Sequence, residues 1–499
     1  MSTHPRHTAH EVEAGRLVGE VEALLGAGAR LALVAAHDDG PSGFRVVYLF
    51  ADPAQGRTEL VLRVPREAPA IPSLASLSFP AGRFERGLQD TFGITPTGHP
   101  RPRRLVLHDH WPVDWYPMRR DATTEPRFGP DRGTFSFVPV LGEGVYEIPV
   151  GPVHAGMIEP GHFRFSVVGE TIIRMKARLW FVHRGMEKLF EGRTAAEGLA
   201  LAEVISGDTA VGHGLAFAMA VEDAAGLVVD EQDRLVRALL LELERLHNHV
   251  SDLGAIANDV GFGIAAAHTQ RLRERLLRQH AALTGHRLLR GGVRIGGAAL
   301  AGDVDVALVR GVASELAEVV DITLGNSVVM DRFVGTAVLG REAAAEMGVL
   351  GYVARASGLD VDARRDHPFV DLGDRFAVVT RQDGDVHARF AVRAEEAQVS
   401  AALVADLADR LDGRRGTGRS AADLTGAASR SGASLVEAWR GTACHRVELD
   451  ASGRTTRVAV VDPSFFTWPA LPVSLQDTIV PDFPLANKSF NQSYAGNDL

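Results

Sequence analysis

A segment in the middle of the chain, VHRGMEKLFEGR at residues 182–193, places His, Arg, Glu and Lys close together at the start of a predicted helix. It is preceded by a loop at 151–161 that is bent by glycines and prolines and leads into His162 and Arg164. This density of titratable side chains is typical of sites that transfer protons or electrons. We therefore expect the functional site of the chain to lie in these two segments.

A third segment, SGDT at residues 206–209, has the spacing of a metal-binding Cys-x-x-Cys pair but contains no cysteine. The chain has one cysteine, Cys444. An intramolecular disulfide is therefore excluded, and no cysteine-ligated iron–sulfur cluster or zinc site can be built from this chain alone.

Length and charge limit the class of protein further. The 499 residues favour two or three domains. Lys and Arg total 53 against 63 Asp and Glu, and the resulting net charge of −10 argues against nucleic acid as a partner. The N-terminus lacks the apolar core of a signal peptide, and no run reaches about 18 apolar residues. We expect a cytoplasmic protein that is held at a membrane only through partners.

The pattern predicts an α+β protein in two domains. Residues 1–122 form a small α+β domain with a helix at 11–25 and strands at 45–50 and 59–64. A polar linker, 123–143, is rich in Gly and Pro. Residues 144–499 form a mainly α-helical domain with small β-sheets.

Within the larger domain, alternation predicts strands at 163–168 and 171–180, and helical spacing predicts a series of helices. Residues 386–392 open an α/β stretch before a helix at 394–411, and a disorder-prone segment follows at 413–417. Apolar residues and prolines in the tail at 462–499 favour packing into the core. The helices are predicted at 234–257, 269–283, 303–324 and 343–350.

A basic tail ends the small domain. PRPRR at 100–104 follows a Gly- and Pro-rich turn and precedes Trp111 and Trp115. One interpretation is a surface loop that aromatic side chains hold in place. The other is a docking segment for an acidic partner surface.

The residues from 144 onward resemble the large subunit of group 4 membrane-bound nickel–iron hydrogenases and its complex I relative, the quinone-site subunit. Residues 182–193 match that superfamily's signature, [apolar]-His-Arg-Gly-x-Glu-Lys-[apolar]-x-Glu-x-[Lys/Arg], at every position. Residues 84–104 resemble the 30-kDa-type partner subunit of complex I, with Gly87 at the third acidic position of its pattern. The order of the two parts is that of a fused protein, as in formate hydrogenlyase large subunits.

The resemblance also identifies what is missing. Counting from His213 and from Leu485, the four cysteine ligands of the nickel–iron centre fall on Ser206, Thr209, Ser493 and Gly496. Soft thiolates suit these metals, whereas hydroxyls are poor ligands and glycine offers no side chain. We therefore expect no nickel, no H₂ chemistry and no cofactor bound by this chain alone.

The quinone site of complex I is expected to be half present. Its Asp falls on Asp259 and the family's first histidine on His154, but the quinone histidine falls on Ile158 and the tyrosine on Gly207. His162 is a candidate replacement for that histidine.

The resemblance supplies the candidate site residues. Glu159 lies in a segment similar to one that carries protons in nickel–iron hydrogenases, and with His162 and Asp259 it forms the predicted proton-handling set. His154, His183 and Arg184 are predicted to face a quinone cavity or a partner's cluster. The competing interpretations are a capping carboxylate for Glu159, a helix-terminal charge for Asp259, structural histidines for His154 and His162, and an interface or core pair for His183 and Arg184.

Two functions follow from these expectations. In the first, the chain is the peripheral large subunit of a complex related to membrane-bound hydrogenases and NADH–quinone oxidoreductase. A small 20-kDa-type iron–sulfur subunit brings a 4Fe–4S cluster, electrons pass to a quinone or an unknown acceptor, and antiporter-like membrane subunits move ions. In the second, the chain is a non-catalytic scaffold of such a hetero-oligomer.

Overall fold

The computed structural model describes residues 7–54, 56–123, 125–129, 135, 137–154, 158–421, 424 and 430–499. Helices and small, open sheets are mixed along the chain, which confirms the predicted α+β class. Among these residues, no helix is both long enough and apolar enough to cross a bilayer.

The N-terminal unit is a four-stranded sheet covered by helices. Its strand order is β1-β4-β3-β2, with β1 parallel to β4 and the other pairs antiparallel. The second helix begins after Ser78, whose hydroxyl accepts a hydrogen bond from the Ala81 N–H, and ends at Gly93 with φ 69°. The elements are β1 His7–Glu11, α1 Ala14–Gly26, β2 Arg30–Asp38, β3 Phe44–Asp52, β4 Gly56–Val64, β5 Ala70–Pro72, α2 Phe79–Phe92 and β6 Thr95–Thr97.

The next sheet carries the loop that holds Glu159. Its three antiparallel strands have the order β7-β8-β9, and both predicted strands of this region are present. The second of them ends at Arg178, because Trp180 turns to φ 65°. The elements are β7 Val145–Val150, β8 His162–Val168, β9 Thr171–Arg178, α3 Met186–Leu189, α4 Ala195–Ala202 and α5 Ala210–Ala225.

The helical body is built on two long helices, α6 and α13, that pack against each other. The prediction that the second begins at 394 is wrong: it begins at Val386, where the Asp385 carboxylate accepts a hydrogen bond from the Ala388 N–H. The bounds are α6 Glu231–Asp259, α7 Gly263–Thr284, β10 Val293–Arg294, β11 Gly297–Ala298, α8 Val306–Leu324, α9 Ser327–Phe333, α10 Arg341–Glu346, α11 Gly351–Ala356, α12 Ala363–Asp366 and α13 Val386–Leu411.

The segment predicted to be disorder-prone, 413–417, is held in place. The Thr417 N–H and hydroxyl both donate to the Asp233 carboxylate, at 2.7 and 2.6 Å. The prediction is therefore corrected by a side chain of α6 that is distant in sequence.

A third sheet and the C-terminal tail complete the body. The tail packs into the core as predicted, since Leu485 and Phe490 are buried. The elements are β12 Arg430–Ala438, β13 Gly441–Leu449, β14 Thr455–Val461, α14 Pro463–Thr467, α15 Ala470–Ser474, α16 Phe483–Phe490 and α17 Tyr494–Asp498.

The N-terminal unit shares its apolar core with the larger body. Its buried strand residues form one cluster with side chains of β12, β13 and β14, among them Leu435, Cys444 and Val461. The buried Arg446 of β13 also pairs with Glu59 of β4 at 3.0 Å. The small unit therefore has a fixed place against the third sheet.

Candidate functional site

The signature segment is joined to the last helix, α17, by backbone and side-chain bonds. The Arg184 N–H donates to the Leu499 carbonyl at 2.8 Å, and the His183 ring donates to the Asp498 carbonyl at 2.6 Å. The Arg184 guanidinium donates to the carbonyls of Ile205 and Ala495, at 2.6 and 3.3 Å. Arg184 thus connects the segment before Ser206 to the helix that contains Gly496.

The four ligand-equivalent positions, Ser206, Thr209, Ser493 and Gly496, converge in space. The Ser206 and Ser493 hydroxyl oxygens are 2.8 Å apart. The Ser493 hydroxyl also accepts from the Gly496 N–H at 2.9 Å, and the Thr209 hydroxyl accepts from the Trp439 indole at 3.1 Å. The four positions were assigned by counting along the sequence, and their closeness in space is consistent with that assignment.

An ion pair holds this cluster together. The Arg440 guanidinium donates to both carboxylate oxygens of Asp208, at 2.6 and 2.7 Å. The same carboxylate accepts from the hydroxyls of Ser206 and Thr209, at 3.0 and 3.1 Å. Partial burial by itself would raise the pKa of Asp208, but the Arg440 guanidinium holds that pKa well below its ordinary value. The hydroxyls of Ser206 and Thr209 therefore belong to a network that is built around this salt bridge.

On the far side of Gly496 lies a buried chain of three polar residues. His213 Nε2 is 2.9 Å from the Asp462 carboxylate, and its Nδ1 is 3.0 Å from Nε2 of His445. All three side chains are buried. A Cβ atom at position 496 would lie 2.5 Å from an Asp462 oxygen, so even the first atom of a side chain there requires Asp462 to move.

These residues do not fit a nickel–iron centre. The chemistry of the donors is wrong, because hydroxyls replace thiolates. The two serine hydroxyls already bond to each other, Gly496 has no room for a side chain, and the Arg440 cation neutralises the one carboxylate of the cluster. Within the described part of the chain, no group of three or more His, Cys, Asp and Glu residues is placed to hold a metal ion.

Each member of the predicted proton-handling set has its own contacts within the described residues. The Glu159 carboxylate is exposed and accepts from the Ala495 N–H at 2.9 Å, at the start of α17. Asp259 is the last residue of α6, where burial raises its pKa and Lys488 of α16 lowers it. No hydrogen bond or salt bridge between described residues joins Glu159 or His162 to Asp259. Their role in proton transfer stays a prediction.

His154 and His162 each bond to a backbone carbonyl at the other end of the loop. His154 Nε2 donates to the Gly161 carbonyl at 2.8 Å, and His162 Nδ1 donates to the Gly151 carbonyl at 3.1 Å. Both rings are half-buried. His183 is likewise held by a backbone carbonyl, and burial lowers its pKa. The observed contacts of all three are therefore structural, and a role toward a quinone or cluster remains a prediction.

Sequence reasoning missed Asp208, Arg440 and Glu244. Asp208 lies inside the SGDT segment. Its importance could have been predicted by asking which charged side chain occupies the place of a metal ion there. Arg440 follows Trp439 at a strand turn and has no local signal. Glu244 lies on α6, a helix that the apolar spacing predicts without indicating which of its polar residues are buried.

Glu244 caps α5 from the interior. Its carboxylate accepts from the N–H groups of Val211 and Gly212 at 2.7 and 2.9 Å, and its side chain is buried. Burial raises the pKa of Glu244 to about 8, although the two N–H groups lower it. Below about pH 8 this side chain therefore holds a proton inside the helical body.

This shift predicts a pH dependence. Because the folded pKa lies above the ordinary 4.5, the folded chain binds more protons than the unfolded chain between these values, and stability falls as pH rises from about 4.5 to 8. Glu244→Gln is expected to flatten that part of the profile, measured as urea midpoints at several pH values. The exposed Glu274→Gln is the control, and an unchanged slope in Glu244→Gln would contradict the assignment.

Comparison with known proteins gives the same picture as the fold. The family models that match are the respiratory-chain NADH dehydrogenase 30 Kd subunit at residues 11–127, the 49 Kd subunit at 259–425, and nickel-dependent hydrogenase at 184–253. The fold and the signature thus define the class of hydrogenase-like and complex I-like large subunits.

Curated relatives narrow this class. Formate hydrogenlyase subunit 5 of Escherichia coli is 33% identical over 91% of this chain and 82% of its own length. Hydrogenase-4 component G of the same organism is 32% identical, over 83% and 73%. The NADH-quinone oxidoreductase C/D subunit of Phocaeicola vulgatus is 31% identical, over 75% and 77%. The chain belongs to the family of group 4 hydrogenase large subunits fused to a complex I 30-kDa-type domain.

A solved structure shares the fold. A chain of the membrane-bound sulfane sulfur reductase, an archaeal respiratory membrane complex, superposes with a TM-score of 0.65. The identity is 24%, and the match covers 72% of this chain and 100% of the other. At this identity the likeness concerns the fold alone.

Proposed function

We propose that this chain is a metal-free large subunit of a membrane-associated, complex I-like oxidoreductase. Electrons reach its surface from the 4Fe–4S cluster of a small partner subunit and pass to a quinone or another acceptor. Antiporter-like membrane subunits couple that transfer to ion movement. The observation that carries the metal-free part is the Asp208–Arg440 pair, which engages the hydroxyls at two of the four ligand-equivalent positions.

The surface around α17 supports a docked partner. Arg184 is exposed there while its guanidinium holds two backbone segments. Three apolar side chains near it in sequence are exposed: Ile158 of the neighbouring loop by 47%, Phe181 just before the signature segment by 37%, and Leu189 within that segment by 43%. Apolar side chains around an exposed arginine are a common composition for the centre of a protein interface.

A quinone site of the complex I type is expected to be half present, with Asp259 retained. Two of the positions that would bond the headgroup hold Ile158 and Gly207, whose side chains have no hydrogen-bonding atoms. A Cβ at Gly207 would meet no atom within 4 Å, so the space beside it is open. Which molecule accepts the electrons is therefore a question for experiment.

A second candidate is the non-catalytic scaffold. The scaffold function is favoured because the hydroxyls of Ser206, Thr209 and Ser493 all have hydrogen-bond partners within the chain. Such a cluster stabilises the junction of α5 and α17 without any reacting group.

The test uses the complex purified from its native membrane. We expect nickel well below one atom per chain by elemental analysis, and no recovery in Ser206→Cys, since three positions would still lack thiolates. Reoxidation of the reduced partner cluster by quinone analogues, followed by electron paramagnetic resonance, would support electron transfer. A cluster that no acceptor reoxidises, in a complex that fails to assemble without this chain, would support the scaffold instead. About one nickel per chain would contradict both.

A further inference from the structure

A basic cleft of about 370 Å³ lies between the N-terminal unit and β9. One wall is formed by α2 and the tail at 101–105, the other by residues 174–180, and Trp468 and Pro469 also line it. Among the described lining residues there is no Asp or Glu, although the net charge of the chain is −10. The cationic lining residues are Arg83, Arg86, Arg101, Arg103, Arg174, Lys176 and Arg178.

Several of these cations lack a counter-charge. Arg101, Arg103 and Arg174 are exposed, and none forms a salt bridge with a described residue, whereas Lys176 pairs with Glu147 at 2.9 Å. Counting only the described residues, the cleft therefore carries an excess of positive charge that attracts anions.

Arg178 is the buried member of the group. It is 4% exposed and donates to the Leu105 carbonyl at 2.7 Å, but its Nε has no hydrogen-bond partner in the described part of the chain. Burial lowers the pKa of Arg178 to about 10, and no described carboxylate lies within salt-bridge distance. The guanidinium also donates to the Leu107 carbonyl at 3.3 Å and lies 4.8 Å from the centre of the Phe135 ring, which lines the cleft as well. These contacts are not charged, so an anion that enters the cleft is still stabilised beside the guanidinium.

The cleft follows the free edge of a sheet. β9 is the outer strand of the order β7-β8-β9, and the consecutive residues 174–180 all line the cleft. On the outer side of β9, Ile172 exchanges backbone hydrogen bonds with Asp477 and Thr478, and no described residue bonds to the backbone beyond it up to Arg178. Unpaired N–H and C=O groups on an edge strand can pair with another extended chain.

The spacing of the charges favours an extended ligand. Arg174, Lys176 and Arg178 alternate along β9, whereas Arg101 and Arg103 on the opposite wall flank a tight turn in which the Arg103 N–H donates to the Arg101 carbonyl at 2.8 Å. Alternate residues of a strand lie about 6.5–7 Å apart on one side. A compact phosphate would require cations that converge on one point, whereas the three cations of β9 follow a line.

We propose that this cleft docks an extended acidic segment of a partner polypeptide. The segment adds a strand to the edge of β9, and carboxylates at alternate positions pair with the free arginines. Trp468 connects the cleft to the carbonyl of Ser493, but no bond between described residues joins Arg101, Arg103 or Arg174 to the signature segment or to the ligand-equivalent positions. The proposal is therefore independent of any redox role of the chain.

The test measures binding of a fluorescein-labelled peptide of alternating Glu and Val to the full chain by fluorescence anisotropy. We expect the triple variant Arg101→Glu, Arg103→Glu, Arg174→Glu to bind at least about tenfold more weakly, with an unchanged thermal midpoint because all three residues are exposed. The matched control has the same charge change on exposed arginines of other helices, Arg16→Glu, Arg278→Glu and Arg310→Glu, and should bind as the wild type does.

Three outcomes would overturn the proposal. The first is equal loss in both triple variants, which would mean that net charge alone governs binding. The second is equally tight binding of a peptide of alternating Lys and Val. The third is displacement of the acidic peptide by inorganic pyrophosphate at concentrations as low as those of the peptide itself, which would identify a small-anion site. Nickel content and cluster reoxidation do not involve these residues, so either proposal can fail without the other.

Discussion

The Arg355→Met exchange is expected to lower the free energy of unfolding by about 3–5 kcal/mol. Arg355 on α11 is fully buried and donates to Glu396 of α13 at 2.6 Å and to Glu437 of β12 at 2.8 Å. A third buried carboxylate, Asp362, lies 3.6 Å away. Methionine would fill much of the volume but leave the buried Glu437 without a cation, whereas Glu396 keeps Arg245 and Asp362 keeps Arg364, each at 2.7 Å.

Thermal or urea unfolding of the full chain measures this loss. The control is Arg365→Met, whose side chain is 41% exposed and pairs with an exposed Asp360, so its effect should stay within about 1 kcal/mol. Equal destabilisation by the two exchanges would show that burial of the Arg355 cluster is not what makes it important.

The Arg440→Met exchange is expected to cost about 2–3 kcal/mol, near the lower end for breaking a buried pair. The Asp208 side chain remains 37% exposed, and water therefore compensates part of the lost attraction. Arg440 also donates to the Asn491 carbonyl at 2.6 Å, so the segment before Ser493 loses a bond as well. Urea unfolding of the full chain is the measurement.

A double-mutant cycle isolates the pair. Asp208→Asn combined with Arg440→Met should be less destabilising than the sum of the single exchanges, with a coupling of about 1–3 kcal/mol, because the double variant leaves no unpaired charge. The exposed Arg454→Met serves as the control. Strict additivity would show that the two charges do not stabilise each other and would remove the main support for a network in place of a metal.

Much of the architecture could be predicted from the chain itself. The strands before the signature segment, the long helix α6 and the packing of the tail follow from hydrophobic periodicity, which is a local property. The start of α13 is marked by a local signal, the cap from Asp385 three residues before Ala388, which the apolar pattern of 386–392 does not take into account. The segment at 413–417 is different, because Asp233 holds it from α6 across 184 residues, and local patterns contain no information about such a distant partner.

The same distinction between local sequence and distant contacts applies to the candidate site. The identity of the signature segment and the absence of thiolates at the four ligand-equivalent positions are matters of composition and spacing, so the sequence alone determined them. What occupies those positions was decided only by tertiary structure. Ser206 meets Ser493 across 287 residues and Asp208 meets Arg440 across 232, because α5 packs against the third sheet and α17 packs against α14, which follows that sheet. The partners of a polar group are set by which surfaces become buried together, and the order of residues along the chain does not encode that directly.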